Sequence, residues 1–471
     1  MIRIKSVKFY NHNIFKNKCF DFTIDGKPVD NVIFAGENGS GKTKLLEEIY
    51  HMTHSTYFRY TGGRDENKIK EMIIDLSEEK CINDRGEILE VDTGILEVYQ
   101  DSYDNLNYKI TFMLNNNIIT ALTNINVENY SRGNGFYLNG LYSSVDVNYS
   151  PRDTIRGITN KTLDNNDSII PTDMAYEIIQ LLVDIAMQDS FDTDKWIGEN
   201  KGKAYPEKLY HARLSRFTKA FKTIFGNKLT YKTILNNTIP IFSKDGKDIE
   251  ISQLSSGEKQ IIFRGIFLLK DKKSIKGTPV FIDEPEISMH PKWEENIFKY
   301  YRTLFITNNK QTSQMFISTH SEAVLSSALN LQSSVVIKNS DKKTEKYYKG
   351  SSGNILPVIT TSEIKYAIFD IYSIDFHCLL YGFIQENFVK DSKGKIKENP
   401  TIKQTDEWLA KEKVTMKQYY KQITPDNIKK YKTLQTYIRN CIDHPDKRIT
   451  YTNTELKKSI NEMIKIINKY K

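Results

Sequence analysis

Gly36-Glu37-Asn38-Gly39-Ser40-Gly41-Lys42-Thr43 is the stretch whose residue types and spacing most directly specify a chemistry. Glycines let successive backbone N–H groups wrap an anion, and a helix opening just behind them adds a favourable potential. With that spacing Lys42 reaches the outer phosphates of a nucleotide, and the Thr43 hydroxyl ligates Mg²⁺. The elements that must position such a loop are a strand before it and a helix after it. Val32 to Phe34 is an apolar run and TKLLEEI is amphipathic, so both are in place. A second apolar run, Val280 to Ile282, ends in Asp283 and Glu284. One carboxylate at a strand end suits the metal shell, and the next suits a general base acting on water. Asp283 and Glu284 are assigned those roles.

Between these pieces lies SQLSSGEKQ, Ser252 to Gln260, and after them QMFISTHSEAVL, where a strand over Met315 to Ile317 precedes His320. Together they resemble the ABC-type ATPases, specifically the SMC, RecF and OLD-like phage-defence branch. Leu254-Ser255-Ser256-Gly257-Glu258 is similar to that family's signature loop, with serine for its first glycine and glutamate for its glutamine. The resemblance implies that ATP and Mg²⁺ are bound by Gly36, Asn38, Gly39, Ser40, Gly41, Lys42 and Thr43. It also implies that Ser255, Gly257 and Glu258 of a second copy close over the γ-phosphate, giving an ATP-dependent dimer or higher homo-oligomer. His320 would be the switch histidine that senses that phosphate. Ser288-Met289-His290-Pro291 replaces the aspartate-containing loop of transporters and is closer to the OLD-like and RloC-like form. Gln100 is a weak candidate for the family's remaining glutamine.

Composition sets outer bounds. The 471 residues are 39% hydrophobic and 27% charged, ordinary for a globular chain. No apolar run approaches the roughly 18–20 residues of a membrane span, and MIRIKSVKFY alternates like a strand. Cys19, Cys81, Cys378 and Cys441 lack any zinc spacing, so a cytoplasmic protein without disulfides is expected. The net charge of +8 is unevenly spread, with 21 Lys+Arg against 14 Asp+Glu from Thr361 onward. An anionic partner there, or plain surplus lysine on solvated faces, accounts for it equally well.

The expected class is α/β: an ABC-type ATPase domain over residues 1–350, with about 51–245 inserted between phosphate loop and signature, then an all-helical domain over 360–471. Within the insertion, residues 172–188 and 206–225 read as helices, while 160–168 and 191–205 read as loops. In the C-terminal part, residues 362–388 read as one helix or a broken pair with Ser362 as a cap. A further helix is expected from Thr424-Pro425, and a last one from the capping box Thr452-x-x-Glu455.

On the Thr424 helix, a stripe of Ile428, Tyr431, Leu434, Ile438, Cys441 and Ile442 places Arg439, Asn440, Asp443 and His444 on one solvent face. Pro445 puts His444 at the helix end. Arg439-Asn440-x-x-x-His444 resembles the motif of HEPN domains, helical bundles that include metal-independent RNases. In the resemblance, histidine acts on the 2′-hydroxyl or leaving oxygen and arginine stabilises the charged phosphorane. The rival reading is an Arg439–Asp443 ion pair on a solvated face. The sequence therefore points to an ATPase gating a C-terminal endoribonuclease in antiphage defence, acting on RNA such as tRNA, by analogy with RloC-like and PrrC-like proteins. Two alternatives stay open. One is a sensor ATPase that docks a separate effector nuclease or a phage trigger protein; the other is a RecF-like repair ATPase.

Overall fold

The computed structural model describes all residues except 1, 54–66, 78–80, 83–87, 101–105, 124–139, 145–173, 205, 207–213, 237–238, 271–276, 340–343, 352–354, 391–393, 425–426 and 446–449. The chain divides into two compact units, Met1–Lys346 and Tyr347–Lys471. The segment read as a loop over 160–168 lies outside the described residues. Among the described residues no single helix is long and apolar enough to cross a membrane.

The first unit is built on a six-stranded sheet in the order Leu141–Ser143, Val280–Asp283, Met315–Thr319, Asn31–Ala35, Ser334–Asn339, Thr344–Tyr348. The first five strands run parallel. Their three central members are continuous apolar runs, as strands covered on both faces must be. Register brings Phe281 opposite Phe316, with stacked rings 5.0 Å apart, and Phe34 continues the ladder at 6.3 Å from Phe316. Because the parallel strands end together, the phosphate loop, Asp283-Glu284 and His320 all emerge at the same sheet edge.

A second, antiparallel sheet runs Asn117–Thr123, Leu106–Leu114, Thr93–Gln100, Asn67–Asp75, Arg3–Phe9, Cys19–Asp21. Gln100 ends a strand of that sheet, opposite Asn67 and Leu106. The two sheets share one core. Gln314 joins them, accepting from Ile4 N–H (2.6 Å) and donating to the Ile4 and Val29 carbonyls. The insertion contributes more than an excursion, since its Leu141–Ser143 segment forms a strand of the central parallel sheet. One helix, Met174–Glu199, runs straight through residues expected to be loop. Nothing before Gly198 breaks it, and it continues although Phe191 and Ile197 are exposed.

The second unit contains helices Thr361–Phe369, Ile374–Asn387, Ile402–Lys411, Leu434–Asp443 and Asn453–Tyr470. The first two are separated at Asp370 in the left-handed conformation, and Thr360 rather than Ser362 caps the first. Thr401 and Gln404 form a capping box for a helix that was not expected. Thr452 and Glu455 form the expected one, and Leu456, Ile460, Met463 and Ile467 are buried behind it.

The unit is not all-helical. Met416–Thr424 and Asn427–Thr433 pair as an antiparallel hairpin, and the helix expected from Thr424 begins ten residues later. Thr-Pro-Asp-Asn suits a turn as well as it suits a helix start, and the flanking aromatic alternation decides for strands. Tyr419 and Tyr431 face each other across the pair, both buried, with rings 5.8 Å apart.

Candidate functional site

The phosphate loop joins the fully buried strand Asn31–Ala35 to the helix Lys42–Thr53. Gly41 sits at φ +82°, a left-handed conformation that a residue with a Cβ adopts only with strain, so glycine suits this turn. The Lys42 ammonium folds back to donate to the Gly36 and Glu37 carbonyls at 3.0 and 2.9 Å. Burial lowers its pKa, opposed by the nearby carboxylates of Glu284, Asp283 and Glu286. Asn339 donates to the Ser40 carbonyl at 3.1 Å and steadies the far side of the loop. Glu37, Asn38 and Gly39 at its tip are exposed.

Thr43 Oγ1 lies 3.0 Å from Asp283 Oδ1, joining two points 240 residues apart. A hydroxyl and a carboxylate so placed are the hard oxygen donors that Mg²⁺ takes. The donor set therefore fits a nucleotide with its metal. Ser318, buried on the neighbouring strand, donates to the same Asp283 oxygen and accepts from Glu284 N–H at 3.1 Å.

Glu284 adopts φ +41°, an uncommon conformation for a glutamate. Its Oε1 lies 3.2 Å from His320 Nε2. Burial lowers the histidine pKa, Lys42 lowers it further, and Glu284 pulls the other way. The net shift favours the neutral imidazole, whose Nε2–H donates to the Glu284 carboxylate. Together these groups can fix a water beside the outer phosphate and take its proton.

Three residues of this edge escaped sequence reading. Glu286 Oε1 accepts from Thr319 Oγ1 (2.6 Å), His320 N–H (2.8 Å) and Ser321 N–H (3.0 Å), which holds the histidine turn against the Asp283 strand. Burial pushes its carboxyl pKa up, against those donors. Ser318 is the second, and Arg264, buried in the helix Ser256–Lys270, is the third. The available signals were a second carboxylate in Asp283-Glu284-Pro285-Glu286 and one cation inside the apolar run IIFRGIFLL.

Ser255 and Ser256 are exposed at the start of that helix, and Gly257 is buried beneath them. Both the backbone N–H and the hydroxyl of Ser255 donate to Glu258 Oε2 at 2.9 Å, and Lys244 pairs with Glu258 Oε1 at 2.8 Å. These donors outweigh burial and hold the Glu258 carboxyl below its usual range. Ser288 takes φ +59°, and His290 caps the following helix, Pro291–Leu304.

In the second unit, buried Asp406 accepts from Lys432 N–H, Thr433 N–H and Thr433 Oγ1, which fixes the junction between hairpin and helix Leu434–Asp443. Arg439 is half-buried and pairs with Asp443 one turn later at 2.6 Å. His444 is exposed at the helix end, with its N–H bonded to the Asn440 carbonyl. The expected four-residue polar face is not formed. Asn440 is fully buried and donates to the Thr436 carbonyl at 2.8 Å. The helix is packed by the hairpin and neighbouring helices over most of its circumference, and at 100° per residue Asn440 falls on the buried flank beside Thr436.

Residues 32–326, more than half of the chain, match the family AAA_21, described as "AAA domain, putative AbiEii toxin, Type IV TA system". The chain belongs to this family. It carries an AAA domain of α/β architecture, built on a largely parallel sheet, with further helices toward its C-terminal end. Among curated proteins, none matches the chain.

Solved structures similar to it include an Smc head bound to the C-winged helix domain of ScpA, at 14% identity and TM-score 0.42, covering 73% of this chain and 97% of that one. The SMC head domain from Thermotoga maritima is similar at 13% identity and TM-score 0.36, covering 74% and 98%. The recombination mediator RecF has 13% identity and TM-score 0.33, covering 73% and 98%.

Proposed function

We propose that this AAA_21 protein is an ATP-driven switch in the cytoplasm that controls RNA cleavage by its C-terminal unit. ATP and Mg²⁺ bind at Gly36–Thr43 and Asp283, Glu284 is the general base, and His320 reports the γ-phosphate. Ser255, Gly257 and Glu258 of a second copy complete each site, so nucleotide drives self-association. Paired C-terminal units then cut RNA, with His444 acting at the 2′-hydroxyl or leaving oxygen and Arg439 on the phosphate. The family's description, which names a toxin of a toxin–antitoxin system, supports a growth-arresting role in phage defence.

One observation carries the RNA half of this reading. The whole net charge of +8 resides in Tyr347–Lys471, which holds 22 Lys+Arg against 14 Asp+Glu, while Met1–Lys346 is neutral. A polyanion is the partner such a distribution suits. The test compares wild type with His444→Ala and Arg439→Ala. Either change should abolish RNA cleavage and growth arrest while leaving ATP hydrolysis intact; identical RNA profiles from all three would remove the nuclease assignment.

The Arg439–Asp443 pair and the buried Asn440 favour a second reading, in which the unit docks a separate effector nuclease or a trigger protein. RNA cleavage that begins only when a second protein is added would select it.

A further inference from the structure

Arg264 sits two turns into the signature helix Ser256–Lys270, fully buried, with Ile262, Phe263 and Ile266 buried around it. Its guanidinium makes four hydrogen bonds. Nε donates to Ser143 Oγ at 2.8 Å, and Nη2 to the Ser143 carbonyl at 3.0 Å. Nη2 also donates to the Asp283 carbonyl at 2.6 Å, and Nη1 to the Glu284 carbonyl at 3.2 Å. All four acceptors are neutral. Among the described residues Arg264 has no anionic partner; burying a cation in that way is unfavourable, and an apolar side chain would brace helix to sheet at lower cost. What the planar guanidinium adds is orientation, since its rigid fork fixes two successive peptide planes.

Those planes flank Glu284, whose backbone takes a conformation uncommon for a glutamate. Glu284 is held at φ +41°, and that conformation aims its carboxylate at His320 Nε2, 3.2 Å away. From this geometry we infer that Arg264 is a positioning residue for the general base. It reads the state of the signature loop and delivers it to Glu284 in the same chain. The helix is rigid over the roughly 12 Å between Ser256 and Arg264. A displacement of Ser255–Gly257, when they close on a neighbour's nucleotide, therefore shifts the guanidinium and the two carbonyls it holds. Ser143, at the end of the strand Leu141–Ser143, is the fixed anchor against which the fork pivots. The inference rests on the reading of Glu284 as the base.

The test uses the full-length protein with ATP and Mg²⁺ and compares Arg264→Lys, Arg264→Gln and Ser143→Ala. A lysine replaces the fork by a point donor, so kcat should fall about tenfold while nucleotide affinity stays within about twofold. The glutamine change should cost more, and Ser143→Ala should lower kcat about threefold by loosening one tooth of the fork.

Wild-type kcat in Arg264→Lys and Ser143→Ala overturns the inference, and so does a kcat loss that appears only together with lost nucleotide affinity. If Arg264→Gln does not fold, Arg264→Lys and Ser143→Ala decide. Glu284→Gln, run alongside, separates the two failures. Full activity there removes the general-base reading, whereas loss there with normal Arg264→Lys removes only the positioning role.

Discussion

The nucleotide edge and the Arg439–His444 helix end are both polar, yet they are built in opposite ways. At the nucleotide edge the key contacts are non-local: Thr43 to Asp283, Glu284 to His320, Glu286 to the turn at Thr319–Ser321. The fold has already brought these groups together. At the helix end, Arg439 finds its ionic partner only four residues away on its own helix. An i,i+4 pair of this kind is worth about 0.2–0.5 kcal/mol, so a phosphate can displace Asp443 at little cost. The first site is organised by topology; the second is left to be organised by whatever meets it.

The largest expected effect breaks the first half of that comparison. Glu284→Gln keeps the shape and removes the base, so ATP hydrolysis should fall by about 10²-fold or more with nucleotide binding retained. Full hydrolysis in that variant would mean that the preassembled edge is not the catalytic one.

Acid should separate the two units next. His377 is fully buried in the second unit with Nε2 3.0 Å from Ser459 Oγ and Nδ1 unpartnered, and burial pulls its pKa down to about 3. The unfolded chain titrates near 6.5, so it binds the extra proton first. Stability is therefore full above about pH 6.5 and declines as pH falls toward 3, by a few kcal/mol in the limit. Hydrogen exchange of the full-length protein at pH 7 and pH 4.5 should show helix Ile374–Asn387 losing protection on acidification. His377→Asn should flatten that dependence, and an unchanged slope would point to another group.

Gly265→Ala probes how tightly the signature helix is seated. A Cβ there would meet the Tyr300 hydroxyl, which already donates to the Ile261 carbonyl at 2.7 Å. Overpacking of this kind costs about 1–3 kcal/mol, and urea melts of the variant should show it; a neutral result would mean the helix has room to shift.

Burial and Lys42 hold the His320 pKa below its ordinary value, so the hydrolysis rate should fall only on acidification below that ordinary range, where protonated His320 would pair with Glu284 and withhold it from water. His320→Gln should lose that limb, and retention of it would assign the titration elsewhere. Smallest of all is Asp443→Asn, expected to lower stability by only a few tenths of a kcal/mol while raising RNA cleavage by freeing Arg439. Lower cleavage would make Asp443 part of the working site.

What could be read from the sequence was whatever is decided locally. Strand–glycine loop–helix with Lys42 and Thr43 is a contiguous device, and Thr452-x-x-Glu455 closes on itself within one turn. Apolar runs ending in Asp283 or preceding His320 name buried strands because they are too short for a helix and rich in β-branched and aromatic residues. The sequence alone thus determined the α/β class with its parallel sheet, and it named the residues that the fold gathers at one sheet edge.

Only the tertiary structure decided the rest. Thr424-Pro425 begins a helix or a turn with equal local logic, and Tyr419 packing on Tyr431 chose the hairpin. Asn440 reads as solvent-facing until several elements close around its helix. Arg264 and Glu286 find their hydrogen-bond partners mostly among backbone groups that their own segments do not contain. A hydrogen bond to a distant carbonyl leaves no trace in residue order, because every residue supplies the same carbonyl and only folding selects which one arrives.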